Sequence, residues 1–206
     1  MLRRPRRRGS GKRRRRLERG GDFPLILQFI KILGMNSELK IRDAQLEDAA
    51  RLVEIYAPYI TETAVSFEYE VPTVDEFRER IKNIKQKYPY LVCEKDDEIV
   101  GYVYASAYSE RESYDWTVAT SIYVDKNCRR MGVGSRLYAE LEARLKAMGI
   151  ENLLAGVAYC EPEDEYLTQD SYKFHTKEGY FMAGQLKGVG KKFGRYYDLL
   201  WLQKKI

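Results

Sequence analysis

The sequence predicts an α/β chain of the mixed α+β type, with a central, mostly antiparallel sheet of six to seven strands and helices on both faces. Strand and helix signals follow one another as βααβββαβαββ, so strands meet first as a meander and later through helical crossovers. The 206 residues are 44% hydrophobic and 13% aromatic, enough to bury one core. Neither an internal repeat nor a second domain is visible along the chain.

Residues 39–42 alternate as a short strand, and Leu46, Ala49, Ala50, Val53 and Tyr56 recur at helical spacing ahead of Pro58, predicting a helix over 45–56. Thr73 with Glu76 three residues on predicts a capped helix that carries Phe77, Ile81 and Ile84 on one face and ends before Pro89. Residues 90–94, 99–108 and 117–124 are rich in Val, Ile, Tyr and Thr, and Asp96 with Asp97 supplies the turn between the first two. A helix over 132–148 stacks Leu137, Leu141 and Leu145 and stops at Gly149. A buried strand over 152–158, a polar insert, a short helix near 171–178 and strands over 180–186 and 196–202 complete the order.

Charge is unevenly placed. Of 36 basic and 31 acidic residues, twelve and two lie in residues 1–34, which leaves 24 against 29, or −5, for residues 35–206. A domain that binds a duplex needs a basic face, so nucleic-acid binding is not expected of the folded part. The leader is expected to be disordered. It reads as a transit-like segment, as an RNA- or lipid-binding arginine block, or as the product of an upstream start, with Met35 the true first residue. The expected organisation is therefore a basic leader at 1–34 and one domain at 35–206. Three cysteines without C-x-x-C spacing and a lone histidine, His175, exclude a disulfide framework, a zinc knuckle and a His-rich metal site. A cytoplasmic protein without a metal fits best, and no apolar run reaches the ~20 residues that cross a bilayer.

The most informative stretch is 122–137, IYVDKNCRRMGVGSRL, where an apolar strand enters a turn holding Arg129, Arg130, Gly132 and Gly134, and the turn opens a helix. Glycines there let backbone N–H groups converge on a ligand, and the helix dipole favours a negative one. The spacing matches neither G-x-G-x-x-G nor a P-loop.

This turn resembles the [Q/R]-x-x-G-x-[G/A] signature of the GNAT N-acetyltransferases, as Arg129-Arg130-Met131-Gly132-Val133-Gly134, and the resemblance extends over about residues 39–205. Within that superfamily the chain is similar to the phosphinothricin and methionine sulfoximine acetyltransferase branch. The similarity is carried by residues 61–73, 88–105, 111–117, 122–138, 174–180 and 192–198. It implies a GNAT-type fold with acetyl-CoA in a splay between the fourth and fifth strands. Backbone groups near Ile122 and Val124 would pair with the pantetheine arm. N–H groups of Arg130, Gly132, Val133, Gly134 and Ser135 would hold the pyrophosphate, with Arg129 and Arg130 adding charge. Ser171 falls where relatives contact the cofactor, although Asp170 places an acid where they often have Asn. Arg111 and Tyr114 match residues that suit the acceptor's carboxylate or phosphinate. His175 and Tyr114 are the catalytic candidates, and a homodimer is implied by analogy.

One position departs from the branch. Where it has a glutamate proposed as general base, this chain has Ala119. An attacking amine has a pKa of about 8 to 10 and must lose a proton, which alanine cannot take. His175, Tyr114, Glu112 or a held water are the replacements; Cys160 could be a covalent acyl carrier, but a cysteine near a strand end reads first as a small buried hydrophobe. The sequence thus supports direct N-acetylation of a small amino acid or phosphinothricin-like acceptor. The alternative is a CoA-binding GNAT-fold sensor or scaffold with weak or lost catalysis.

Overall fold

The computed structural model describes residues 38–206, and the basic leader at 1–34 lies outside the described residues. Seven strands, β1 (Lys40–Asp43), β2 (Tyr90–Lys95), β3 (Glu98–Ala107), β4 (Thr117–Val124), β5 (Asn152–Tyr159), β6 (Phe181–Lys192) and β7 (Arg195–Lys205), form one sheet in the order β1-β2-β3-β4-β5-β7-β6. Four helices, α1 (Ala49–Thr61), α2 (Val74–Lys85), α3 (Val133–Ala147) and α4 (Asp170–Lys177), fall where the sequence predicts them. Neighbouring strands run antiparallel except β4 and β5.

Local chemistry accounts for most boundaries. Thr73 and Glu76 form the reciprocal cap expected at α2, the Glu76 amide donating to Thr73 Oγ1 at 3.2 Å and the Thr73 amide to Glu76 Oε2 at 2.7 Å. Asp96 and Asp97 take φ of 52° and 65°, the left-handed pair that a two-residue hairpin turn requires and aspartate tolerates. The first helix corrects the sequence reading: α1 continues through Pro58 to Thr61. An interior proline costs about 3 kcal/mol. Burial of Tyr59 and Ile60 in the last turn offsets it at about 1.5–3 kcal/mol for each large side chain. Strands β6 and β7 also outrun the prediction, reaching Lys192 and Arg195 through an irregular register between Leu186 and Gly190.

The sheet is covered on both faces. Leu137, Leu141 and Leu145 of α3 pack with Leu91, Val103, Val118, Leu153, Leu200 and Leu202. On the other face Leu52, Ile55 and Tyr56 of α1 and Phe77 and Ile81 of α2 cover Tyr90, Val92 and Tyr102.

The feature that positions the site is where pairing stops. β4 and β5 are joined only at Thr117↔Asn152, Val118↔Leu153 and Ala119↔Leu154, although each strand is eight residues long. Residues 120–124 and 155–159 therefore diverge, and the sheet opens beside the entrance to α3.

Candidate active site

The turn between β4 and α3 is fixed from behind. Asp125 Oδ1 accepts the Asn127 amide at 2.9 Å, and Asp125 Oδ2 accepts Arg51 Nη2 at 2.6 Å. Arg130 and Gly132 both take left-handed φ, 62° and 83°. Gly132 caps α3 without a side-chain bond, and the first amide to find a helical carbonyl is that of Arg136, on Gly132 O at 3.1 Å. The amides of Val133, Gly134 and Ser135 precede that first bond at the positive end of the helix dipole, as a diphosphate would need.

The two glycines serve different purposes. A Cβ at Gly132 would meet nothing within 4 Å, so conformation and not space requires glycine there. A Cβ at Gly134 would lie 2.8 Å from Phe174 Cζ, so Gly134 lets α3 pack on α4. Arg129 and Arg130 are exposed, and the Arg129 guanidinium lies 5.3 Å from the centre of the Tyr59 ring. Ser135 Oγ donates to Glu178 at 2.5 Å.

Within the splay, the Asp125 amide bonds to Val100 O of β3 at 2.8 Å. By the alternation of a strand, Ile122 and Val124 turn their backbone groups the opposite way, toward the opening. Val124 O accepts Tyr59 Oη at 2.5 Å, and the Val124 amide lies 3.4 Å from the same hydroxyl. A cavity of about 50 Å³ lies here, walled by Thr120, Ser121, Ile122 and Tyr123 of β4, residues 155–158 of β5, Val65, and Ser171 and His175 of α4. A larger hollow of about 470 Å³ near β1 is lined by charges that already bond one another, such as Arg42 with Asp48 and Glu94.

His175 is 4% exposed and both ring nitrogens are engaged. Nδ1 lies 2.8 Å from the Ser171 carbonyl, which can only accept, so Nδ1 carries the proton and Nε2 accepts the Tyr138 hydroxyl at 2.9 Å. Tyr138 Oη lies 3.3 Å from Thr120 Oγ1, which lies 3.3 Å from Tyr180 Oη and donates to Leu154 O at 3.4 Å. Leu154 is the last β5 residue of the ladder, so the Thr120 hydroxyl takes over where strand pairing ends. Burial holds the His175 pKa below its ordinary value, against the opposing effects of the Ser171 carbonyl and Glu178, and pushes the Tyr138 phenol up to about 12. Sequence reasoning missed Thr120, Tyr138 and Tyr59, since each fits its strand or helix as ordinary packing.

Arg111 and Tyr114 lie on the β3–β4 connection and do not line the cavity. Tyr114 connects to its wall through rings: 5.4 Å to Tyr108, then 6.1 Å to Trp201, whose side chain would lie 3.7 Å from a Cβ at Gly156. Ala119 sits on the last rung of the β4–β5 ladder and faces Ser106 on β3. Cys160 Sγ bonds Leu167 O at 3.5 Å, and burial pushes its thiol above the ordinary value, the state of a packed thiol and not of a nucleophile. Among the described residues no group of three or more His, Cys, Asp and Glu is placed to hold a metal ion.

Fold and helix entrance together define a class, the acetyltransferases. The chain matches the Acetyltransferase (GNAT) domain over residues 41–201 and belongs to that family. It is 31% identical over 166 residues to the phosphinothricin N-acetyltransferase of Streptomyces viridochromogenes, spanning 81% of this chain and 87% of that one. It is 30% identical to an L-methionine sulfoximine/L-methionine sulfone acetyltransferase of Pseudomonas aeruginosa, over 79% and 92% of the two chains. Among solved structures, a GNAT phosphinothricin acetyltransferase from Sinorhizobium meliloti in complex with AcCoA superposes with a TM-score of 0.74 at 29% identity, covering 82% of this chain and 88% of that one.

Proposed function

We propose that the chain transfers the acetyl group of acetyl-CoA directly to the amino group of a small amino acid or a phosphinothricin- or methionine sulfoximine-like acceptor. The observation that carries this reading is the splay beyond Ala119↔Leu154, which ends at the uncapped entrance of α3. The amides of Arg130 and of residues 132–135 hold the diphosphate, with Arg129 and Arg130 adding charge-assisted bonds. Ile122 and Val124 offer their backbone edge to the pantetheine arm, which takes the place of Tyr59 Oη on Val124. Ser171 lies on the same wall. Arg111 and Tyr114 receive the acceptor from the β3–β4 side.

In the transfer the amine nitrogen bonds the acetyl carbon, the carbon–sulfur bond breaks, and the proton shed by nitrogen must be matched by one reaching sulfur. Thr120 lines the cavity and is wired through Tyr138 to the unprotonated Nε2 of His175, so this chain can take the proton shed by the amine, with His175 ending as the cation. A held water returns the matching proton to the departing sulfur, and Ala119 can perform neither task. Alignment beside the thioester accounts for much of the rate.

A homodimer formed along β6 is supported by Phe181, Met182, Leu186 and Val189, all about half exposed. Three free cysteines and the lack, among the described residues, of a helix long and apolar enough to cross a membrane are in keeping with a cytoplasmic site of action. The family match over residues 41–201 supports reading one domain within 35–206. Ala119 favours one second reading, a CoA-binding sensor or scaffold with weak or lost catalysis. Thiol release from acetyl-CoA against a panel of amino acids, methionine sulfone and phosphinothricin separates the two. Turnover on one of them is expected, and tight CoA binding with no turnover on any amine would establish the sensor.

A further inference from the structure

The hydroxyl of Tyr59 occupies the pairing edge of β4. Tyr59 Oη donates to Val124 O at 2.5 Å and lies 3.4 Å from the Val124 amide nitrogen, so one side-chain group faces both backbone groups of a single strand residue. That edge has no strand partner, because β4 and β5 pair only as far as Ala119↔Leu154 and the next amide, that of Asp125, is the one that turns to β3. An amide and a carbonyl left unpaired in a half-buried place cost free energy. A phenol answers both, since its oxygen accepts while its hydrogen donates. The amides of pantetheine carry the same two functions, N–H and C=O, and the reading above directs them to the same edge.

The hydroxyl is held there by little else. Tyr59 lies in the last turn of α1, just past Pro58, and among the described residues its Oη bonds no group but Val124. The Tyr138 hydroxyl, by contrast, is tied into a network with Thr120 and His175. The Tyr59 ring itself is seated independently, 5.3 Å from the centre of the Tyr123 ring and 5.3 Å from the Arg129 guanidinium. Arg129 belongs to the turn that faces the diphosphate, so bonding phosphate and staying over the ring draw on the same guanidinium.

We propose that Tyr59 is a stand-in for the pantetheine arm: its hydroxyl satisfies the β4 edge at Val124 in the free protein, and the arm pairs there only by displacing it. This rests on the cofactor placement proposed above. It adds a residue that opposes cofactor binding, so affinity for CoA is set below what the helix entrance and the strand edge would give alone.

The test titrates the wild type and Tyr59→Phe with CoA and with 3′-phospho-ADP, which keeps the diphosphate and lacks the arm. Phenylalanine keeps the ring against Tyr123 and Arg129 and removes only the hydroxyl. Tyr59→Phe should bind CoA about tenfold more tightly, the worth of one ordinary hydrogen bond that no longer has to be broken. Its Kd for 3′-phospho-ADP should stay within about twofold of wild type. The Val124 amide should exchange with solvent about tenfold faster in free Tyr59→Phe than in the free wild type, and at equal rates in the two CoA complexes. CoA affinity unchanged or lowered by Tyr59→Phe, an equal gain for 3′-phospho-ADP, or a Val124 amide that exchanges alike in both free proteins overturns the proposal and leaves the acetyltransferase reading standing. Failure of the wild type to bind CoA would instead overturn that reading, and this inference with it.

Discussion

The helix entrance at residues 129–135 and the packing of residues 61–73 on the β6–β7 hairpin are built by different means. The first uses backbone amides whose geometry is set within a dozen residues: a strand end, two left-handed residues and an uncapped first turn. The second uses side chains brought together from far apart, such as Lys192 with Ser66 and Phe67 with Gly190. A grip made of local backbone tolerates sequence change and suits a co-substrate common to a family. A wall made of distant side chains can change its selectivity one residue at a time.

Substitutions can break or sharpen this division. Gly132→Asp should have the largest effect, lowering CoA affinity more than about 100-fold in titration calorimetry, because a side chain at φ 83° is strained and its carboxylate meets phosphate. Unchanged affinity would remove the local grip from the account. Ala119→Glu should raise kcat by about tenfold if the missing acid limits the rate, with CoA affinity unmoved. No gain places the proton path elsewhere. Gly190→Ala should displace Phe67, cost about 1–3 kcal/mol in thermal unfolding, and raise the acceptor KM about fivefold. An equal loss of CoA affinity would show that the two regions are not independent.

The smallest effect concerns His175. Its folded pKa lies below the ordinary 6.5, so the unfolded chain binds the proton first as pH falls. Stability from the neutral ring is fully present above about pH 6.5 and declines below it. Denaturant unfolding of the wild type should therefore weaken more steeply than that of His175→Asn between about pH 6.5 and 5. Parallel curves would show the ring to be solvated.

The same division explains how much was legible in the sequence. The order of strands and helices, the Thr73–Glu76 cap and the Arg129–Gly134 turn all rest on residues near one another in the chain, and all could be read directly. Gly134 was legible as a glycine but not as the floor of a Phe174 contact made by a helix 36 residues later. The helix through Pro58 was missed because the reward for continuing it comes from tertiary burial of Tyr59 and Ile60. His175 stood out as the lone histidine, whereas Thr120 and Tyr138, which wire it to the cavity, have spacings that fit ordinary strand and helix packing. Lys192 could not have been told from a surface lysine, since its burial comes from a segment more than a hundred residues upstream.

Hydrogen exchange of the backbone amides with and without CoA tests the central assignment most directly. The amides of Arg130 and residues 132–135 should slow by at least about tenfold on binding, together with those of Ile122 and Val124, while the β1–β2 end of the sheet stays unchanged. Protection elsewhere, with residues 130–135 exchanging as before, would contradict it.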